Sequence, residues 1–302
     1  MLMNKEIEKV AIVGGGFMGI QIAIVAAKFA GNTVKIHDVS REAFERAEKI
    51  REALLASQVA AGKISEQDKA GIKKRIAYFS ELSAALAGAD LVIEAVPEVL
   101  ELKRKVFADL GRLAPPEAIL ASNSSTMPVS RMEDTTRRPE KMVNIHFYPP
   151  IEQKNIVDLM GGTRTSPEVL EIVERWVRRL HCLPLKVRKE LLGFCFNRVW
   201  HAARLEALKM WAGGSVDFMD VDRAWMIFTG MPLGPFAMMD GIGLDVVLQV
   251  HRFYYEEHKD PFYKPPGPLE KMVEKGELGM KTGKGFYTYP GPAFSKPDFL
   301  KP

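Results

Sequence analysis

Three side chains have the types and spacing that proton chemistry needs. His146 sits at the end of the apolar run Met142-Val143-Asn144-Ile145-His146-Phe147, which Pro149-Pro150 stops. Asp158 lies near the end of the next run, Ile156-Val157-Asp158-Leu159-Met160, which Gly161-Gly162 stops. If those runs are neighbouring strands, the two side chains can meet. A carboxylate beside an imidazole fixes its tautomer and favours its charged form. That suits a base taking a hydroxyl proton while the carbon is oxidised. A histidine at a strand end can equally be hydrogen-bonded in place with no catalytic task. Ser125 follows a third run, Ile119-Leu120-Ala121, where a hydroxyl is well placed to meet a reacting oxygen.

A second constellation suits a dinucleotide. Val10-Ala11-Ile12-Val13 runs into Gly14-Gly15-Gly16-Phe17-Met18-Gly19, and a long apolar stretch follows up to Gly31. Gly14, Gly16 and Gly19 fit G-x-G-x-x-G: a tight turn, close approach to a pyrophosphate, and close helix–strand packing. The free N–H groups at the helix start then face the phosphates. Thr33-Val34-Lys35-Ile36-His37 ends in Asp38, which can bind a ribose 2′-hydroxyl and would repel a 2′-phosphate. The expected cofactor is therefore NAD rather than NADP.

These residues need strands and helices to hold them. Ser40 can cap a charged helix running towards Gly62, with a second polar helix from Ser65 to Arg75. Ala89–Val96 reads as a strand, Leu100–Leu113 as a helix, and Ser166 to about Leu180 as another before Pro184–Val187. Strand–helix alternation over residues 8–188 predicts a Rossmann-type doubly wound sheet. Asp38, Glu98, Ser125 and His146 all fall at carboxyl ends of its strands, where such sheets bind ligands. From Gly193 the pattern turns all-helical, with helices expected at Phe194–Ala212, from Asp217 or Asp220 through Met226, at Asp240–His258 and at Leu269–Lys275. The expected division is 1–188, carrying a helical hairpin insert at about 40–75, and an all-α domain at 189–302. The apolar content of the second half points to burial against another subunit.

The 302 residues carry 47% hydrophobic and 26% charged side chains and a formal net charge of +4. Acids and bases are interleaved, as in Arg41-Glu42 and Glu45-Arg46, so no nucleic-acid footprint is expected. Cys182 and Cys195 form no C-x-x-C pair and no metal-like cluster with histidine, so a reducing compartment and no metal are expected. No leader pattern precedes the first strand, and no apolar run approaches the roughly 18 residues of a membrane span. A cytoplasmic location follows as an expectation.

Almost end to end, the chain resembles the L-3-hydroxyacyl-CoA dehydrogenases that act on short acyl chains. The matching segments are Val10–Gly19, Leu91–Glu98 with Lys103, Ser122-Asn123-Ser124-Ser125, His146-Phe147, Gly193–Arg198, Pro232–Phe236 with Asp240, and Lys281–Tyr287. The resemblance implies hydride transfer between NAD and C3 of a 3-hydroxyacyl-CoA, a homodimer, and a place in fatty-acid metabolism such as β-oxidation. It makes His146 the base, Asp158 its carboxylate partner, Ser125 a donor to the reacting oxygen, and Asn197 a substrate-holding residue. It places Phe17, Met18, Glu98, Lys103, Asn123, Ser125 and Lys281 against the cofactor.

Three departures bear on the substrate. The family's usual glutamate is Asp158 here, one methylene shorter. The usual His-Phe-Phe-Asn-Pro reads His146-Phe147-Tyr148-Pro149-Pro150, losing a side-chain amide and a backbone N–H. On the hairpin, Leu54 and Ala61 stand at the spacing of the family's CoA-contacting serine and lysine, with Ser57 and Lys63 nearby. A non-CoA 3-hydroxy acid or diketone therefore stays open as substrate, as does an NAD-binding sensor without turnover.

Overall fold

Short apolar runs, too brief for helices and broken by glycine or proline, become eight strands in the computed structural model, which describes residues 6–301. The chain divides into two compact units, Met1–Cys195 and Phe196–Pro302.

The first unit alternates strand and helix: β1 (Lys9–Val13), α1 (Phe17–Phe29), β2 (Thr33–His37), α2 (Arg41–Ala60), α3 (Glu66–Lys74), β3 (Ile76–Phe79), α4 (Leu82–Leu86), β4 (Leu91–Glu94), α5 (Leu100–Leu113), β5 (Ile119–Ser122), β6 (Met142–Phe147), β7 (Ile156–Gly161), α6 (Pro167–Arg179) and β8 (Leu183–Val187). The sheet order is β3-β2-β1-β4-β5-β6-β7-β8. This is a Rossmann-type sheet whose strand direction reverses once, between β6 and β7. β6 and β7 run antiparallel, and β7 and β8 run parallel.

The central strands β4, β5 and β6 are buried along their whole length, which is why they read as unbroken apolar runs. α1 is buried from Gly19 to Ala27 and apolar all round, as befits a core helix. At the far side, the Trp176 indole N–H donates to Asn32 Oδ1 (2.9 Å) and Asn32 donates to Ile7 O (2.7 Å), tying α6 to the turn before β2. α2 and α3 form the charged hairpin. Ser40 caps the first, and Ser65 caps the second reciprocally with Asp68.

β3 was not anticipated: Ile76-Ala77-Tyr78-Phe79 follows directly on a charged helix and pairs only with β2 at the sheet edge. Asp158 is the third residue of β7, not a strand-end residue, and the antiparallel direction is what sets it opposite His146.

The second unit is helical: α7 (Phe196–Ala212), α8 (Phe218–Thr229), α9 (Pro235–Ile242), α10 (Leu244–His258) and α11 (Gly267–Glu274). Its own core gathers Trp200, Leu208, Phe236, Met239, Leu244, Val247, Leu269 and Tyr287. Several expected helix bounds change: α8 runs on to Thr229 and not Met226, and α11 spans Gly267–Glu274 and not Leu269–Lys275. Asp240–His258 is not one helix, because Gly243 at φ 101° breaks it. α7 starts at Phe196, because Gly193 and Phe194 both take left-handed φ angles. Asp222 accepts the Phe236 and Ala237 N–H groups (2.8 and 2.9 Å) at the start of α9, and Asp240 accepts those of Phe286 and Tyr287 (2.9 and 2.8 Å). No helix among the described residues is long and apolar enough to cross a membrane.

Candidate active site

The β1–α1 turn is built for a dinucleotide. Gly14 adopts φ 112°, and a Cβ there would lie 2.5 Å from the Ala95 carbonyl oxygen. A Cβ at Gly19 would lie 2.0 Å from the Gly14 carbonyl oxygen, so that position must be bare for α1 to approach β1. Gly16 differs: a Cβ there meets nothing within 4 Å. The open space over the start of α1, whose first turn has no side-chain cap, is where a phosphate can sit on free N–H groups. Asp38 follows β2 directly. Its Oδ2 accepts the Gly15 N–H at 2.7 Å and its Oδ1 the Val39 N–H at 2.7 Å, fixing the carboxylate beside the turn. Phe17, half exposed, and Met18 open α1 at the same place. These residues fit an NAD adenosine-pyrophosphate half.

Beyond β4 and β5 lies a polar network that the sequence reading did not assemble. Lys103 on α5 is buried, with Nζ 2.7 Å from Glu94 and 3.1 Å from Glu98. Ser122 donates to Glu94 at 2.7 Å, and the Val96 N–H donates to it at 2.8 Å. Ser124 and Thr126 donate to Glu98, the latter at 2.8 Å. Burial alone would raise the Glu98 carboxyl. The Lys103 charge and the hydrogen bonds from Ser124 and Thr126 outweigh it and hold Glu98 below the ordinary carboxylate value. Lys103 therefore supports Glu98 from beneath. Asn123 accepts the Phe147 N–H at 3.0 Å, fastening the end of β5 to that of β6. Ser125 is half-buried beside it, outside the Glu98 network.

His146 and Asp158 are direct cross-strand partners on β6 and β7. Nδ1 lies 3.2 Å from Oδ2, with the carboxylate sealed from solvent. An ionised carboxylate only accepts, so Nδ1 carries the proton and Nε2 is left for a substrate. The imidazole packs against two rings, stacked on Phe194 (5.3 Å, 17°) and edge-on to Tyr148 (4.4 Å, 69°). The two left-handed residues Gly193 and Phe194 deliver that ring, and the next N–H, of Cys195, donates to Asp158 Oδ1 at 3.3 Å.

Near the hairpin, a cavity of about 120 Å³ is lined by Leu54, Ser57, Gln58, Ala61 and Lys63 together with Pro150–Gln153. Lys28 bonds to two of the lining residues, Gln58 (2.8 Å) and Glu152 (2.9 Å). In the second unit, Asn197 is half-buried on α7, and Lys281 pairs with Asp245 at 2.5 Å. Among the described residues no three His, Cys, Asp or Glu side chains converge as metal ligands.

Residues 9–191 match the model of the 3-hydroxyacyl-CoA dehydrogenase NAD binding domain, and residues 193–289 match that of the 3-hydroxyacyl-CoA dehydrogenase C-terminal domain. The chain belongs to the 3-hydroxyacyl-CoA dehydrogenase family. As such it is an NAD-dependent oxidoreductase, and the glycine turn described above is that of its NAD-binding domain. Among relatives of this family, a 3-hydroxybutyryl-CoA dehydrogenase of Bradyrhizobium diazoefficiens is 35% identical over 96% of this chain and 98% of its own. The crystal structure of FadB2 from M. tuberculosis superposes with a TM-score of 0.90 at 32% identity, covering 95% of this chain and all of that one. A diketoreductase described as acting on dicarbonyl compounds superposes with a TM-score of 0.84 at 33% identity, covering 94% and 100%.

Proposed function

We propose that this chain interconverts a 3-hydroxyacyl-CoA and the corresponding 3-ketoacyl-CoA, with His146 as general base. The His146–Asp158 contact carries this reading, because it commits Nδ1 and presents Nε2. In the oxidative direction Nε2 takes the C3 hydroxyl proton, and Asp158 stabilises the imidazolium that results. Bound NAD supplies the two-electron acceptor for C3. Ser125 donates to the reacting oxygen, and Asn197 orients the thioester side. Gly14, Gly16, Phe17, Met18 and Gly19 hold the pyrophosphate, and Asp38 holds the adenosine ribose. Glu98, kept ionised by Lys103, faces the nicotinamide ribose with Asn123 and Ser125, and Lys281 contacts the cofactor from the tail. Exposed Phe228, Ile227 and Val199 on the helical unit fit a homodimer, and two free thiols fit a cytoplasmic setting.

A second reading keeps the chemistry and drops CoA. Leu54 and Ala61 on the hairpin cavity wall, and the likeness to a diketoreductase, favour it. Following NADH consumption with acetoacetyl-CoA and with free acetoacetate in parallel separates the two. Turnover confined to the thioester is the expected result; turnover confined to the free acid overturns the CoA reading.

A further inference from the structure

Aspartate has one methylene with which to reach an imidazole across two strands. The Asp158 carboxylate is nevertheless held by three donors, and they are unequal. The Tyr148 hydroxyl donates to Oδ2 at 2.5 Å, His146 Nδ1 reaches the same oxygen at 3.2 Å, and the Cys195 N–H reaches Oδ1 at 3.3 Å. The first lies at the short end of the range for a hydroxyl on an ionised oxygen, roughly 2.5–2.7 Å. The other two lie at or past the long end for N–H···O, about 3.2 Å. The tyrosine is thus the tightest tether on a carboxylate sealed from water. A buried charge needs such donors, since each one missing leaves it uncompensated.

Tyr148 also touches the other member of the pair. It follows His146 by two residues, just past the end of β6, and its hydroxyl meets the same Asp158 oxygen as His146, the register partner of that acid. Its ring meets the imidazole edge-on at 4.4 Å. The ring packs the imidazole while the hydroxyl anchors the acid.

We propose that Tyr148 is a positioning residue for the reaction: its hydroxyl holds the short Asp158 carboxylate in the orientation that meets His146 Nδ1. This rests on the reading of His146 as the base. Without the hydroxyl, the acid is free to turn about its side-chain torsions and the imidazole loses its fixed tautomer. An acid one methylene longer would reach His146 without the tether, and with the hydroxyl still present it would be crowded in the same buried space.

The test is a double-variant cycle in the full chain, using whichever of acetoacetyl-CoA and acetoacetate is turned over. Y148F should lower kcat about tenfold or more, as expected for a lost hydrogen bond to a charge, with NADH affinity little changed and the melting temperature lowered, because the buried Asp158 carboxylate loses a donor. D158E alone should also lower kcat, and Y148F/D158E should recover most of it. In parallel, the His146 Nδ1–H proton resonance should be present in the native chain, lost in Y148F and restored in the double variant. An unchanged kcat in Y148F, or a double variant whose loss is merely the product of the single losses, overturns the proposal. H146Q separates the two failures. Full activity in H146Q removes the base reading itself, whereas an inactive H146Q beside a fully active Y148F removes only the tyrosine.

Discussion

Lys103 and Glu94 meet 2.7 Å apart where neither side chain reaches water. Breaking one side of such a pair strands the other charge, at a cost of about 3–5 kcal/mol. K103M should therefore lower the unfolding free energy by about that amount in urea titrations. K103M/E94Q should regain much of it, because no carboxylate is then stranded at position 94. A K103M chain as stable as the native one would show that Glu94 is satisfied without the lysine.

The glycine turn separates structural from binding roles. Gly16 has φ −70° and open space around its Cβ position, so G16A should fold normally. A methyl group there occupies the approach of the pyrophosphate, and NADH affinity should fall by about tenfold or more, that is, at least ~1.4 kcal/mol. G19A should behave in the opposite order, with overpacking against the Gly14 carbonyl costing about 3 kcal/mol of stability before binding is considered. Fluorescence titration with NADH and urea unfolding distinguish the two. Tight NADH binding by G16A would place the phosphates elsewhere.

The helical unit should be acid-sensitive. His201 and His251 are buried 4.6 Å apart, ring to ring, beside the buried Arg204, whose guanidinium donates to His201 Nδ1 at 3.4 Å. Burial first, and the Arg204 charge second, drive His201 down to about 3 and His251 down to about 2, from 6.5. Both stay neutral in the folded chain while the unfolded chain takes up protons. Stability is thus complete above 6.5 and is lost as pH falls from there towards 3. The slope per histidine is at most ~1.4 kcal/mol per pH unit. Urea midpoints between pH 7 and pH 5 should fall, and H251F should roughly halve the slope. A flat profile would contradict the burial of two neutral imidazoles.

Elements with a local pattern are legible in the sequence, whereas pairing between distant residues leaves no local mark. Leu100–Leu113 carries its own amphipathic pattern, and α5 has those bounds. Gly14 and Gly19 mark a turn because backbone crowding there excludes a side chain, whereas Gly16 leaves open space for a ligand. β3 gives little local signal because its apolar run, Ile76–Phe79, is only four residues long and follows Lys73-Lys74-Arg75 directly. Gly243 lay inside a helical apolar pattern, and only its left-handed backbone turns that pattern into two helices. At the site, the twelve-residue spacing of His146 and Asp158 allowed a meeting without fixing strand direction. Antiparallel register is what places them opposite each other. Nothing local to Tyr148 says that its hydroxyl faces Asp158. The Glu94–Lys103–Glu98 network joins residues of β4, α5 and the loop between them. Its signal is two acids and a lysine spaced across one strand–helix turn.

The central claim is that His146, held by Asp158, moves the substrate proton. The most direct measurement is kcat for H146Q with NADH and the preferred keto substrate, alongside the NADH dissociation constant. Loss of a positioned base predicts a kcat lower by ~10²–10⁴-fold with NADH affinity nearly intact. Native-like turnover by H146Q would contradict the account.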